Sequence, residues 1–101
     1  NSFTTLELYT HNITEGSSTW NKYIGIFNIS DNYLTTAEVE AQLKVINDYF
    51  SVNTPIKNLT VNLSGATMGI PTDGANNPDL LGIIAKHAAA GFTATITVRT
   101  S

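Results

Sequence analysis

I24-x-x-F27-x-I29-x-x-N32-x-L34 sets apolar residues at the offsets of a short strand that runs into a tight turn, and the pattern returns along the chain. An earlier copy is F3-x-x-L6-x-L8-x-x-H11-x-I13, a partial one is V61-x-L63-x-x-A66-x-M68, and the last residues contain I96-x-V98. Strand cores therefore fall at Leu6, Phe27, Val61 and Ile96, spaced by 21, 34 and 35 residues. Spacings of this order belong to stacked strand-plus-helix units, each of which buries its apolar face against the next.

The segments between the cores fill in this outline. Residues 3–9, F-T-T-L-E-L-Y, alternate as a strand, a polar connection follows over 11–19, and a second strand is expected over 20–30. From Thr35 the period changes. Val39, Leu43, Ile46 and Phe50 lie at i, i+4, i+7 and i+11, one face of an amphipathic helix over 35–52. Thr35-x-x-Glu38 forms a capping box at its start, and Asn53-Thr54-Pro55 ends it, because proline disfavours helix in the residue before it.

A third strand is expected over 57–64, followed by a long loop over 65–76. The second helix, 77–90, opens with Asn77 as cap, Pro78 at the first position and Asp79 in the first turn. Its apolar stripe is Leu80, Leu81, Ile84, Ala85 and Ala88, with His87 at the rim and Gly91 at the exit. Residues 93–100 form the last strand. Strand-helix-strand links of this length predict parallel neighbours and a right-handed crossover. The first link has no helix signal, so strands one and two are free to pair either way. The expected fold is α/β, one domain over 1–101: a mainly parallel four-stranded sheet with helices on one face.

Composition narrows the function classes. The chain carries 42% hydrophobic residues, enough for one core, but only 13% charged residues, and 33 of its 101 residues are Ser, Thr or Asn. Such an ion-poor surface is associated with extracellular and virion proteins. The net charge of -3 and five scattered Lys and Arg argue against nucleic acid, which calls for a clustered basic stripe. No apolar run approaches the ~20 residues of a membrane span. Zero Cys leaves the redox compartment unread, and Asn1 in place of Met suggests a processed or excised piece.

Within a strand, residues between the inward positions face the open side of the sheet. That sets Glu7, Asn28, Asn62 and Thr97 in one lane, and Tyr9, Ser30, Ser64 and Arg99 in the next. Amides, hydroxyls, an aromatic ring and an Arg suit sugar hydroxyls, although an uncovered sheet face is polar in any case. The candidate ligand-binding residues on this face are Tyr9, Asn28, Ser30, Asn62, Ser64 and Arg99. The M68-G69-I70-P71-T72-D73-G74 loop adds Met68, Thr72 and Asp73, or else it is a wide turn whose Ile70 plugs the end of the core. No metal spacing, calcium loop or Gly-x-Ser-x-Gly elbow is present, so no catalytic residue, metal or cofactor is expected. Four Asn-x-Ser/Thr triplets, at Asn12, Asn28, Asn58 and Asn62, are close to what this composition gives by chance.

Residues 59–98 resemble a leucine-rich-repeat-like strand-helix unit of bacterial surface proteins and phage tail or baseplate proteins. The resemblance is carried by L63-S64-G65, I70-P71-T72-x-G74, N76-N77-x-D79-L80, G91 and T95-I96-T97-V98, about two fifths of the chain. It departs at Lys86-His87-Ala88-Ala89-Ala90-Gly91, which lengthens the helix exit. The resemblance implies an appendage that displays a binding surface, with no activity attached. The expected function is a non-enzymatic adhesion or receptor-binding module of a phage virion or bacterial surface protein. Its partner would be a cell-surface glycan or protein. The alternative is a structural domain assembling through its sheet edges, as a homo-oligomer or within a larger assembly.

Overall fold

The computed structural model describes residues 5–7 as backbone, Lys22, and residues 24–101. Its elements are β1 (Thr5–Glu7), β2 (Ile26–Asn28), α1 (Thr36–Val52), β3 (Leu59–Leu63), a 3-10 turn (Gly74–Asn76), α2 (Pro78–Ala89) and β4 (Ala94–Val98). The fold is α/β. The strands form one sheet in the order β1-β2-β3-β4, and every pair is parallel. This settles the direction of the first strand: β1 runs with β2 in the register Leu6↔Phe27. The strand cores meet side by side, Phe27↔Val61 and Val61↔Ile96, so the 34- and 35-residue spacings are strand-to-strand steps. The helix-bearing units among the described residues are β2-α1 and β3-α2, and β4 follows α2.

Side chains alternate along the strands, as the pleat requires. Ile24, Phe27, Ile29, Leu59, Val61, Leu63, Ala94 and Val98 face inward and share one buried cluster with Val39, Leu43, Ile46 and Phe50 of α1 and Leu80 and Ile83 of α2. Both helices thus cover the same face. The capping box forms as expected: Glu38 N–H donates to Thr35 Oγ1 at 3.2 Å, and Thr35 N–H donates to Glu38 Oε1 at 2.8 Å. Asn77 Oδ1 likewise accepts from Asp79 and Leu80 at the start of α2. The helices meet at Gly82, where an added Cβ would lie 2.7 Å from Asn47 Oδ1. Asn47 in turn donates to Asp79 at 3.0 Å and accepts from Lys86 Nζ at 2.7 Å, tying the pair together.

Three expectations change. The second strand is shorter than 20–30, with Lys22 in a turn; residues 20, 21 and 23 lie outside the described part. The ladder begins only where Thr60 N–H reaches Gly25 O, because upstream of Leu59 the partner chain is still leaving Pro55 in irregular backbone. Helix α2 is rotated from its expected stripe: Leu80, Ile83 and His87 are buried, whereas Leu81, Ala85 and Ala88 are exposed. His87 is therefore inside, not at a rim. Its Nδ1 sits 2.9 Å from Ile83 O, and its ring meets Phe50 edge-on at 4.6 Å. Finally, Met68 rather than Ile70 fills the end of the core, with Met68 fully buried and Ile70 at the surface.

Leu63 is fully buried at the C-terminal end of β3, in the cluster that the sheet shares with both helices. Leu63→Ala should cost about 2–5 kcal/mol, a large share of the ~5–15 kcal/mol that holds a small domain. Urea unfolding measures it, and a loss below about 1 kcal/mol would place Leu63 outside the core.

Candidate functional site

The face of the sheet away from the helices is the candidate site. Strand alternation brings three lanes onto it: Ile26, Thr60 and Thr95; then Asn28, Asn62 and Thr97; then Ser30, Ser64 and Arg99. The backbone register sets Glu7 beside Asn28, as expected. Tyr9 lies outside the described residues. Ile26, 41% exposed, gives the face an apolar member that was not anticipated, although it follows from the same alternation one step earlier.

Asn28 and Asn62 are neighbours in the register, and they are built alike. Asn28 Oδ1 accepts from Ser30 N–H at 3.0 Å and from Ser30 Oγ at 2.7 Å. Asn62 Oδ1 accepts from Ser64 N–H at 3.0 Å and from Ser64 Oγ at 2.6 Å. Each triplet is an Asx turn reinforced by its serine, a local bond that draws the backbone out of the strand. The next residue adopts a positive φ in both copies: Asp31 at 60° and Gly65 at 137°. Aspartate tolerates that region, whereas Gly65 is required twice over, since a Cβ there would lie 2.7–3.0 Å from Asp31. Two of the Asn-x-Ser triplets thus mark strand exits. Their recurrence at a 34-residue offset was the available signal.

With the carbonyl oxygens committed, the two amide nitrogens are what these residues can offer a ligand; neither has a hydrogen bond among the described residues. They stand one strand step apart, about 4.8 Å. Arg99 is partly spent on structure, because Nη1 donates to Met68 O at 3.0 Å and Nε donates to Ser101 O at 3.1 Å. It straps the loop to the end of β4. Among the lane residues contributed by β2, β3, β4 and their exits, Arg99 is the charged one, while the register of β1 adds Glu7 to the lane of Asn28.

The loop that follows β3 is anchored from several sides. Gly69 N–H donates to Leu34 O at 2.7 Å, and Thr36 Oγ1 donates to Ile70 O at 2.9 Å. Gly69 passes so close to the start of α1 that a Cβ would collide with Thr35 and Thr36 backbone. Burial removes Met68 from the set of ligand-contacting side chains, because the apolar thioether completes the core. Thr72 and Asp73 remain at the surface.

Thr72 N–H donates to Glu40 Oε2 at 2.6 Å, and hydrogen bonding from the Thr72 side chain, together with this backbone bond, holds the Glu40 carboxyl below its usual range. A depressed carboxylate stabilises the fold above its unfolded value, about 4.3, and that contribution disappears as pH falls through the lower folded value. The Thr72 amide resonance should therefore titrate in the acid range in NMR spectra and stop doing so in Glu40→Gln. A Thr72 shift that titrates unchanged in Glu40→Gln would contradict the bond.

Asn62→Ala leaves Ser64 N–H and Oγ without their acceptor in a part-buried position, and a lost partner of this kind costs about 1–3 kcal/mol. Denaturant melts of Asn62→Ala should show that loss, and a change within about 0.5 kcal/mol, as at ordinary surface sites, would show the turn to be incidental. Comparison of the chain with protein families, with curated proteins and with solved structures returned no match.

Proposed function

We propose that this chain is a non-enzymatic recognition module that presents the open face of its sheet to a cell-surface glycan or protein, as part of a phage virion or bacterial surface protein. In this reading the parallel stack is leucine-rich-repeat-like, each strand exit being set by its Asn-x-Ser turn and each return made over a helix. The observation that carries it is the row of Asn28 and Asn62 amides, held at fixed spacing by turns that use their oxygens and leave their nitrogens to the face. Preorganised donors lose little freedom on binding, which favours affinity. Ile26 and the methyl groups of Thr60 and Thr95 supply apolar surface beside the donors, and sugar rings present that same mixture. The face belongs outside a crowded ionic environment, since it relies on amides and hydroxyls. Among the described residues no helix is long and apolar enough to cross a membrane.

The test must spare the Asx turns. Thr60 and Thr97 are exposed on the face, Thr60 in the lane before the asparagine row and Thr97 in that row beside Asn62. Thr60→Arg/Thr97→Arg should lower binding to a glycan array or to bacterial cells at least tenfold while leaving the melting temperature unchanged. Undiminished binding by the folded double variant would remove the face from consideration, and a wild-type chain that binds neither probe would overturn the reading.

A further inference from the structure

The contact between the two helices holds a cluster of reactive side chains that lies apart from the open face. Asp79, Gly82 and Lys86 share one stripe of α2, spaced by three and four residues, and that stripe meets Asn47 of α1. Gly82 is the point of closest approach. A Cβ there would lie 2.7 Å from Oδ1, 2.9 Å from Nδ2 and 3.1 Å from Cγ of Asn47, so the whole carboxamide rests against the α2 backbone. Glycine is a poor residue for a helix interior, and here its bareness is what admits the amide.

That amide is held at both ends. Lys86 Nζ donates to Oδ1 at 2.7 Å, and Nδ2 donates to Asp79 Oδ1 at 3.0 Å. Asn47, Asp79 and Lys86 are all half-buried. The ion pair among the described residues is Lys44 with Asp48 at 2.7 Å, so the Lys86 amine addresses a neutral amide and not the Asp79 carboxylate. With a C=O bond of about 1.2 Å, the 2.7 Å hydrogen bond leaves Lys86 Nζ no more than about 3.9 Å from Asn47 Cγ. A near-attack arrangement asks for ~3–3.5 Å, a small swing of a lysine side chain. An amine beside a carboxamide carbon, with a carboxylate on the leaving nitrogen, supplies the parts of an acyl transfer.

We propose that Lys86 and Asn47 become joined by an amide bond that links α2 to α1. The Lys86 ammonium first yields a proton to water, and the freed lone pair attacks Asn47 Cγ. As the Nζ–Cγ bond forms, the carbonyl electron pair moves onto Oδ1. Both nitrogens are then bound to the same carbon, so Asp79, which already contacts Nδ2, relays a proton from Nζ to Nδ2. The electron pair returns from Oδ1, the Cγ–Nδ2 bond breaks, and ammonia leaves to take up the proton first released. The charge of the lysine thus departs as ammonium, Asp79 ends as it began, and the balance needs no other reactant. The link joins residues 39 positions apart and encloses β3 with the anchored loop after it. A cross-link of this kind removes conformations from the unfolded chain.

Intact-mass spectrometry of the folded full chain tests this. The wild-type protein should be lighter than its sequence by one ammonia. Trypsin should then fail to cut after Lys86 and should release residues 45–57 joined to residues 58–99. Lys86→Arg keeps a donor for Oδ1 but no amine for the bond, and it should carry its full mass. Asp79→Asn should form the link at least about tenfold more slowly, and wild-type chain kept in urea should not form it. A folded wild-type chain that retains its full mass on storage would overturn the proposal. So would ammonia loss confined to one peptide with normal cleavage after Lys86, which marks an asparagine cyclising on its own backbone. The wild-type reading needs no variant, and circular dichroism shows that Lys86→Arg is folded.

Discussion

The carboxamide oxygen of an asparagine two residues before each serine is the constraint on which the described sheet depends. Parallel strands require the chain to leave the sheet at the same level each time, cross a helix and come back in register. Asn28 and Asn62 set that level by capturing the N–H and hydroxyl of Ser30 and Ser64. Asp31 and Gly65 then turn through positive φ into the links. The two exits are also bonded to each other, since Asp31 N–H donates to Ser64 O at 3.0 Å. The stacking persists into the links: Thr67 Oγ1 donates to Asn32 O, and Gly69 N–H to Leu34 O, each across one repeat step. Asn32 itself is buried and spends its Nδ2 on Ile29 O, which explains its place in the opening register.

From that constraint follows the division of the molecule into a core side and an open side. The exits put Phe27, Ile29, Val61 and Leu63 on the helix side, where hydrophobic burial is strongest, and leave the alternating polar residues uncovered. Asn28 and Asn62 serve both sides at once. Their oxygens hold the backbone and their nitrogens shape the face, so truncating them confuses stability with binding. Separating the two roles requires substitutions at Thr60 and Thr97, which share the face without holding a turn.

Much of this was legible in residue order, and the failures have physical causes. Helix starts are local chemistry, and Thr35-x-x-Glu38 and Asn77-Pro78-Asp79 placed α1 and α2 correctly because their bonds close within three residues. Strand cores were readable from alternation. The orientation of α2 was not, because Leu80, Leu81, Ile83, Ile84 and Ala88 offer more than one apolar stripe, and Asn47 of α1, remote in sequence, decides which one faces the sheet. The lane of Glu7, Asn28, Asn62 and Thr97 matches the register, whereas Tyr9 of the next lane lies outside the described residues. The bonding of the two asparagines was missed, because an Asn-x-Ser triplet reads as a modification signal unless its repetition at strand exits is noticed. Met68 was assigned to a ligand loop although its place in the partial repeat already aligned it with Leu34, a core position.

The in-register parallel stack is open to direct observation in solution. Through-hydrogen-bond NMR couplings report donor and acceptor without recourse to distance modelling. The account requires couplings from Ile29 N–H to the carbonyl of Asn62, from Asp31 to Ser64 and from Leu59 to Thr93. Their presence together would establish the parallel register and both strand exits. Couplings that pair these amides in an antiparallel order, or a register displaced by even one residue, would contradict it, because such a slip turns every inward side chain to the open face.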